Sequence, residues 1–276
     1  MRPLAEQTIL VTGATDGLGR ALAADLAASG ADVLVHGRDE RRAHDTLAEI
    51  RDRAPDARVR FLRADLASLA EVRDLAAQTE RETGRLDALV NNAGIGYTTG
   101  SEEQREESRD GHELRFVVNY LSGYLLTRLL LPLLERSAPA RIVNVSSAGQ
   151  TPIDFDDVML TRGYTGGRAY CQSKLAQVMF TFDLADELRG RDVTATCLHP
   201  ATYMPTKMVI DAGTTPISSL EQGLDATRRL VADPELDGVT GVYFNGLRQA
   251  EPDPQAHDAD ARGRLRRLSD ELCGLA

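Results

Sequence analysis

Tryptophan is absent from this chain of 276 residues, and lysine stands at only two positions, Lys174 and Lys207. Lysine and arginine together number 32 against 42 acidic residues, a formal net charge of -10. Affinity for a phosphate backbone comes from clustered cations. Here the arginines are interspersed with acids, which excludes a nucleic-acid partner. Cys171, Cys197 and Cys273 are odd in number and widely spaced, which argues against a disulfide framework or a zinc knuckle and for a reducing compartment. The five histidines share no metal-ligand spacing on a helix face, so no metal is expected. Uninterrupted apolar runs are missing as well: the longest, Phe116 to Leu134, contains Asn119, Arg128 and Pro132. A membrane span with those groups would carry a heavy desolvation cost, so the run reads as a buried helix and no membrane span is expected. Met1 to Gln7 is too polar and too short for a secretory signal, which leads to the expectation of a cytoplasmic location.

What is present is an ordinary globular composition, 42% hydrophobic and 27% charged, with enough length for one doubly wound core. Strand-like apolar runs alternate with helix-period segments to about position 245, the pattern of a parallel sheet with crossover helices. Strands are expected at 8–12, 33–36, 59–62, 86–91, 141–147, 193–198 and 242–244. Helices are expected after the first strand, ending at Ser29-Gly30, and at about 39–53, 68–83, 109–135 and 168–189. The fold class is therefore α/β: a single-domain Rossmann fold over 1–276, with a doubly wound parallel sheet of about seven strands, helices on both faces and a polar, proline-spaced tail. The stretches 148–167 and 200–218 are expected as substrate-side loops at the C-terminal side of the sheet, where open α/β folds bind ligands.

Two motifs carry chemistry. The first strand runs into Thr12-Gly13-Ala14-Thr15-Asp16-Gly17-Leu18-Gly19, whose glycines permit a tight turn and close approach of a pyrophosphate, while the helix N-terminus offers free N–H groups to it. Tyr170 and Lys174 lie four apart in a helical segment and so project side by side from one face. An adjacent ammonium favours the phenolate, which would tune Tyr170 down towards the working pH as a proton donor or acceptor. Lysine is so rare in this chain that its place at 174 is not compositional accident.

The spacing Thr-Gly-x-x-x-Gly-x-Gly resembles the short-chain dehydrogenase/reductase superfamily, and further resemblances follow in that superfamily's order: Asn91-Asn92-Ala93-Gly94, Asn119, Ser147, and Tyr170 with Lys174. The resemblance covers most of the chain. It implies a catalytic set of Asn119, Ser147, Tyr170 and Lys174, with Ser147 on the substrate oxygen, Lys174 also on the nicotinamide ribose, and Asn119 supporting a water-linked proton path. It further implies cofactor contacts from Gly13, Thr15, Asp16, Gly17, Leu18, Gly19, Arg38, Asp65, Leu66, Asn92, Ala93, Gly94, Tyr170, Lys174, Pro200 and Thr202. His199-Pro200-Ala201-Thr202 departs from the usual Pro-Gly and implies a stiffer backbone beside the nicotinamide.

At the end of the second strand Gly37 stands where an acidic residue would bond the 2′-hydroxyl of NAD, and Arg38 follows it. NADP(H) is therefore expected over NAD(H), with Asp16 a dissent because its carboxylate would repel a 2′-phosphate. Ile153-Asp154-Phe155-Asp156-Asp157-Val158, Ser173-Lys174-Leu175-Ala176 and Gly241-Val242-Tyr243-Phe244 resemble the retinol dehydrogenase and protochlorophyllide reductase branch. That branch implies a lipophilic carbonyl or alcohol substrate, polyketide-like molecules included. Met204, Met208 and Val209 could lid such a substrate or pack in the core. Tyr97, Tyr164 and Tyr203 are candidates for substrate contact, the aspartates of 154–157 read as a solvated loop, and so does the acidic cluster from Glu102 to Glu107. Two alternatives to a reductase share these motifs, a nucleotide-sensing binding protein and a redox-neutral epimerase or dehydratase. A homodimer or homotetramer would form through the helices at 109–135 and 168–189.

Overall fold

Runs such as Ile9-Leu10-Val11 and Ile142-Val143 carry no polar alternation, and strands of that kind are stable only when both faces are covered. They form the centre of one sheet in the computed structural model, which describes residues 1–97 and 104–276. Its strands are β1 (Thr8–Val11), β2 (Asp32–Gly37), β3 (Arg58–Arg63), β4 (Ala88–Asn91), β5 (Ala140–Val145), β6 (Val193–His199), β7 (Val242–Asn245) and β8 (Arg248–Gln249). The order is β3-β2-β1-β4-β5-β6-β7-β8, parallel through β7, with Leu10 opposite Leu34 on one side and Leu89 on the other. The expected seven strands are thus joined by an eighth, a two-residue antiparallel return from β7. The order reverses at β1, so the loops leaving β1 and β4 diverge and open a crevice at the C-terminal edge.

Helices α1 (Gly17–Ala28) and α2 (Glu40–Arg53) cover one face, together with α8 (Leu220–Ala232). The other face carries α3 (Leu69–Glu82), α6 (Gly166–Glu187), α9 (Ala259–Leu272), and a continuous helix made of α4 (Leu114–Phe116), a π turn at Val117–Leu121 and α5 (Ser122–Ser137). The short α7 (Lys207–Asp211) lies within 200–218. The continuous helix begins at Leu114 rather than 109, because Glu113 caps it by accepting from the Phe116 N–H. By length and composition it is apolar enough to cross a membrane, yet most of it is buried within this fold.

The polar tail is a correction: residues 259–272 form α9, capped by Asp258, which takes the N–H groups of Asp260 and Ala261. Its Leu265 is 1% exposed, worth roughly 1.5–3 kcal/mol of apolar burial. Tyr120 and Tyr124 of the continuous helix reach it through Ser269 (2.7 Å) and Asp270 (2.6 Å), and Arg266 pairs with Asp183 of α6. Helix α8, also unforeseen, starts with a capping box between Ser219 and Gln222.

Candidate active site

The loop after β1 is shaped by what passes beside it. Gly13 has φ +64°, and a Cβ there would lie 2.8 Å from the Ala93 Cα; only glycine admits the chain leaving β4 so closely. A Cβ on Gly19 would lie 2.3 Å from the Gly13 carbonyl oxygen and from Asn92 Nδ2. Asn92 fastens the two loops by donating to the Thr12 carbonyl at 2.8 Å, while the Thr12 hydroxyl accepts from the Asn92 and Ala93 N–H groups at 3.0 Å. His36, which sequence reasoning passed over, holds the loop from below. Its Nδ1 accepts from the Gly13 N–H at 3.1 Å, so the proton sits on Nε2, which donates to the Ala64 carbonyl at 3.2 Å. Burial lowers its pKa to about 4, so this brace is neutral at physiological pH. The tight glycine turn and the N-terminus of α1 behind it suit a pyrophosphate, and these residues fit a dinucleotide.

At the adenosine end, the backbone of Gly37 passes so near Thr15 that a Cβ would lie 2.6 Å from Thr15 Cγ2. Arg38 is exposed. Asp16 is not the unopposed carboxylate expected: it takes the Gly17 N–H at 2.7 Å and pairs with Arg42 Nη1 at 3.3 Å. Asp65 accepts from the Ala67 N–H at 3.1 Å beyond β3, and Leu66 is buried.

Around the end of β5 the expected catalytic set comes together. Ser147 is 9% exposed, its hydroxyl accepts from the Gly149 N–H at 3.1 Å, and its carbonyl is held by the Tyr243 hydroxyl at 3.1 Å. Tyr170 stands beside it: Ser147 Oγ and Tyr170 Cε1 lie 3.6 and 4.0 Å from where a Cβ on Gly149 would be. Lys174, one turn on along α6, has Nζ 5.7 Å from the Tyr170 ring centroid and donates to the Val145 carbonyl and to Gln177 Oε1, both at 2.9 Å. Asn119 sits in the π turn, a common device at functional sites. Its Oδ1 accepts from the Ile95 N–H at 2.8 Å and its Nδ2 donates to the Ser173 hydroxyl at 2.9 Å, which in turn donates to the Tyr170 carbonyl. Gly94 faces this cluster, with Asn119 Oδ1 3.3 Å and Lys174 Nζ 3.5 Å from where its Cβ would be.

The expected lowering of the Tyr170 pKa is not found. Burial pushes it up, against the opposite effect of Ser147, and the nearby Cys171, Tyr97 and Tyr203 add to the rise. Lys174 is pushed down to about 7 by burial alone, and burial with the Lys174 charge also lowers His199.

On the substrate side the candidate residues are placed differently from one another. Thr202 is exposed, its hydroxyl 2.9 Å from His199 Nε2 and in hydrogen bond with it; Thr206 approaches Gly17, 3.2 Å from where a Cβ would be. Met204 packs on Leu18 and Gly223, whereas Met208, Ile210, Ile217 and Tyr203 are exposed. Tyr97 stands edge-on to Tyr170 at 6.4 Å and bonds the Thr214 hydroxyl at 3.1 Å, but Tyr164 is spent on Arg115 and Glu113. Asp157 is used locally, accepting from Thr161 and Arg162. Of the acidic cluster, Glu102 and Glu103 lie outside the described residues; Glu107 is exposed and pairs with Arg105.

A doubly wound sheet with a glycine-lined crevice, and a serine, a tyrosine and a lysine gathered beside it, defines a nucleotide-dependent oxidoreductase. The short chain dehydrogenase family model matches residues 7–216. Retinol dehydrogenase 13 of Mus musculus is 38% identical over 292 residues, covering 98% of this chain and 84% of that protein. Among solved structures, an uncharacterized protein from Mycobacterium paratuberculosis superposes with TM-score 0.78 at 28% identity, covering 99% of this chain and 96% of that one. An NADP complex of RhlG from Pseudomonas aeruginosa superposes with TM-score 0.72 at 27% identity, covering 89% and 97%. The chain belongs to the short-chain dehydrogenase/reductase family, in its retinol dehydrogenase-like branch, and is an oxidoreductase acting between alcohol and carbonyl.

Proposed function

We propose that the protein reduces the carbonyl of a lipophilic small molecule with NADPH, Tyr170 being the proton donor. The observation that carries this reading is the gathering of Ser147, Tyr170 and Lys174 beside the crevice, with Ser147 Oγ and Tyr170 Cε1 both within 4.0 Å of where a Cβ on Gly149 would be and Lys174 Nζ 5.7 Å from the Tyr170 ring centroid; a protonated phenol placed there is the donor a carbonyl reduction needs. The nicotinamide, when bound, supplies the hydride. Ser147 and Tyr170 hold the substrate oxygen, and Tyr170 Oη releases its proton to that oxygen as negative charge develops there. The ammonium of Lys174 stabilises the phenolate left behind. Its pKa of about 7 also suits it to return a proton to Tyr170, and Asn119 keeps α6 and the chain after β4 in register for this.

Several features favour NADP(H). The crowding of Gly37 by Thr15 leaves no room for a carboxylate on the 2′-hydroxyl of NAD, Arg38 is exposed at the same strand end, and a similar structure is an NADP complex. For a lipophilic substrate speak the exposed Tyr203, Met208, Ile210 and Ile217 on the 200–218 segment and the retinol dehydrogenase name of the relative. The continuous helix Leu114–Ser137 is read as a core helix. The test is NADPH and NADH consumption with hydrophobic aldehydes and ketones, retinal among them, in wild type and Tyr170→Phe. Turnover preferring NADPH and lost in the variant, with cofactor binding retained, is expected. An active Tyr170→Phe would refute the role given to the phenol.

A further inference from the structure

We propose that Arg42 is the second cation for the 2′-phosphate of the cofactor, and that Asp16 holds it ready when no cofactor is bound. The proposal rests on the NADP(H) reading above. Arg42 lies in the first turn of α2 and Asp16 in the loop before α1, yet Nη1 and Oδ2 are 3.3 Å apart, so the pair spans the gap in which the 2′ substituent beside Arg38 would lie. Both ends are placed by backbone. Asp16 is fixed by the Gly17 N–H at 2.7 Å, and Asp39 caps α2 by accepting from the Arg42 N–H at 3.0 Å. The Asp39 carboxylate stands a further 3.9 Å from Arg42 Nε.

Charge decides the consequence. Asp16, Arg38, Asp39 and Arg42 sum to zero, so a phosphate entering beside Arg38 alone would meet a carboxylate at Asp16 with no net attraction. The Asp16 and Arg42 side chains are 49% and 44% exposed, and an ion pair in such solvent is weak. A phosphate offers the guanidinium two or more charged oxygens and the option of bidentate bonding. Arg42 can therefore swing from one anion to the other at little cost, leaving Asp16 on the Gly17 N–H. Asp16 then lowers the affinity for NADPH without deciding against it, and Arg42 offsets its repulsion.

The experiment is titration of cofactor fluorescence with NADPH and with NADH, in wild type, Arg42→Ala, Arg38→Ala and Asp16→Asn. Arg42→Ala is expected to weaken NADPH about tenfold, the scale of one exposed charge-assisted contact, with NADH unchanged within twofold. Asp16→Asn keeps the cap, frees Arg42 and is expected to tighten NADPH about threefold. Calorimetry with adenosine 2′,5′-bisphosphate against 5′-AMP gives the same ranking without the nicotinamide. If Arg38→Ala abolishes the preference for NADPH and Arg42→Ala does not alter it, Arg42 is a surface arginine and the proposal falls while the NADP(H) reading stands. A wild type that binds NADH as tightly as NADPH overturns both.

Discussion

Replacing Lys174 by methionine should abolish turnover and, at pH 6, make the protein more stable. Lys174 is 4% exposed and its pKa falls from 10.5 to about 7 through burial. Below pH 7 the amine is charged in both folded and unfolded chains, and the folded state bears the full difference of about 3.5 units, roughly 5 kcal/mol. Between pH 7 and 10.5 the unfolded chain binds the extra proton, so stability rises with pH across that window and the penalty is gone above it. Methionine removes the penalty but leaves the Val145 carbonyl and Gln177 Oε1 without their donor, a loss of about 1–3 kcal/mol per orphaned group. At about 1.5 kcal/mol per group, the net is about 2 kcal/mol in favour of the variant at pH 6, or roughly 5 °C in Tm. Between pH 8 and about 8.5 the two effects balance, and at pH 10 the variant is the less stable. Urea denaturation of both proteins at pH 6, 8 and 10 measures this. A Lys174→Met protein that is less stable at pH 6, or a difference that does not move with pH, would show that the buried ammonium carries no such strain.

Other perturbations follow from contacts already described. Gly37→Asp, the change that would build a carboxylate for NAD, should fail to create NADH preference and should cost about 1–3 kcal/mol of stability, because the new side chain meets the β-branched Thr15; thermal melts and NADH titration read both. Tyr243→Phe frees the Ser147 carbonyl and should lower kcat severalfold with KM little changed, at a stability cost of about 1 kcal/mol. A larger change in KM than in kcat would mean that Tyr243 shapes the substrate space rather than Ser147.

Much of this was legible before any coordinates. Strands of a parallel sheet are buried on both faces, so Ile9-Leu10-Val11 and Ile142-Val143 stand out, and the glycines at 13, 17 and 19 mark a turn no other residue makes. What escaped is what depends on distant partners. In α9 the apolar positions Ala261, Leu265, Leu268 and Leu272 are spaced for one face but lie among Arg262, Arg264, Arg266 and Arg267, which reads as solvated until Asp183 and Asp186 are seen to receive two of them. The capping pair Ser219 and Gln222 was a usable signal for α8. Asp16 and Arg42 meet across 26 residues, beyond any local pattern. The Tyr170 and Lys174 spacing correctly put the two on one face, but spacing does not say where an amine turns: Nζ goes to the strand carbonyl and to Gln177, and burial governs both titrations.

Helix α9 lies across the flank formed by α5 and α6, the surface through which a second copy was expected to dock. Part of that flank is covered by the chain's own C-terminal helix, held there at an effective concentration that dilution cannot lower. The midpoint of unfolding should then be the same at micromolar and nanomolar chain, whereas an assembly held by mass action would melt earlier as it is diluted.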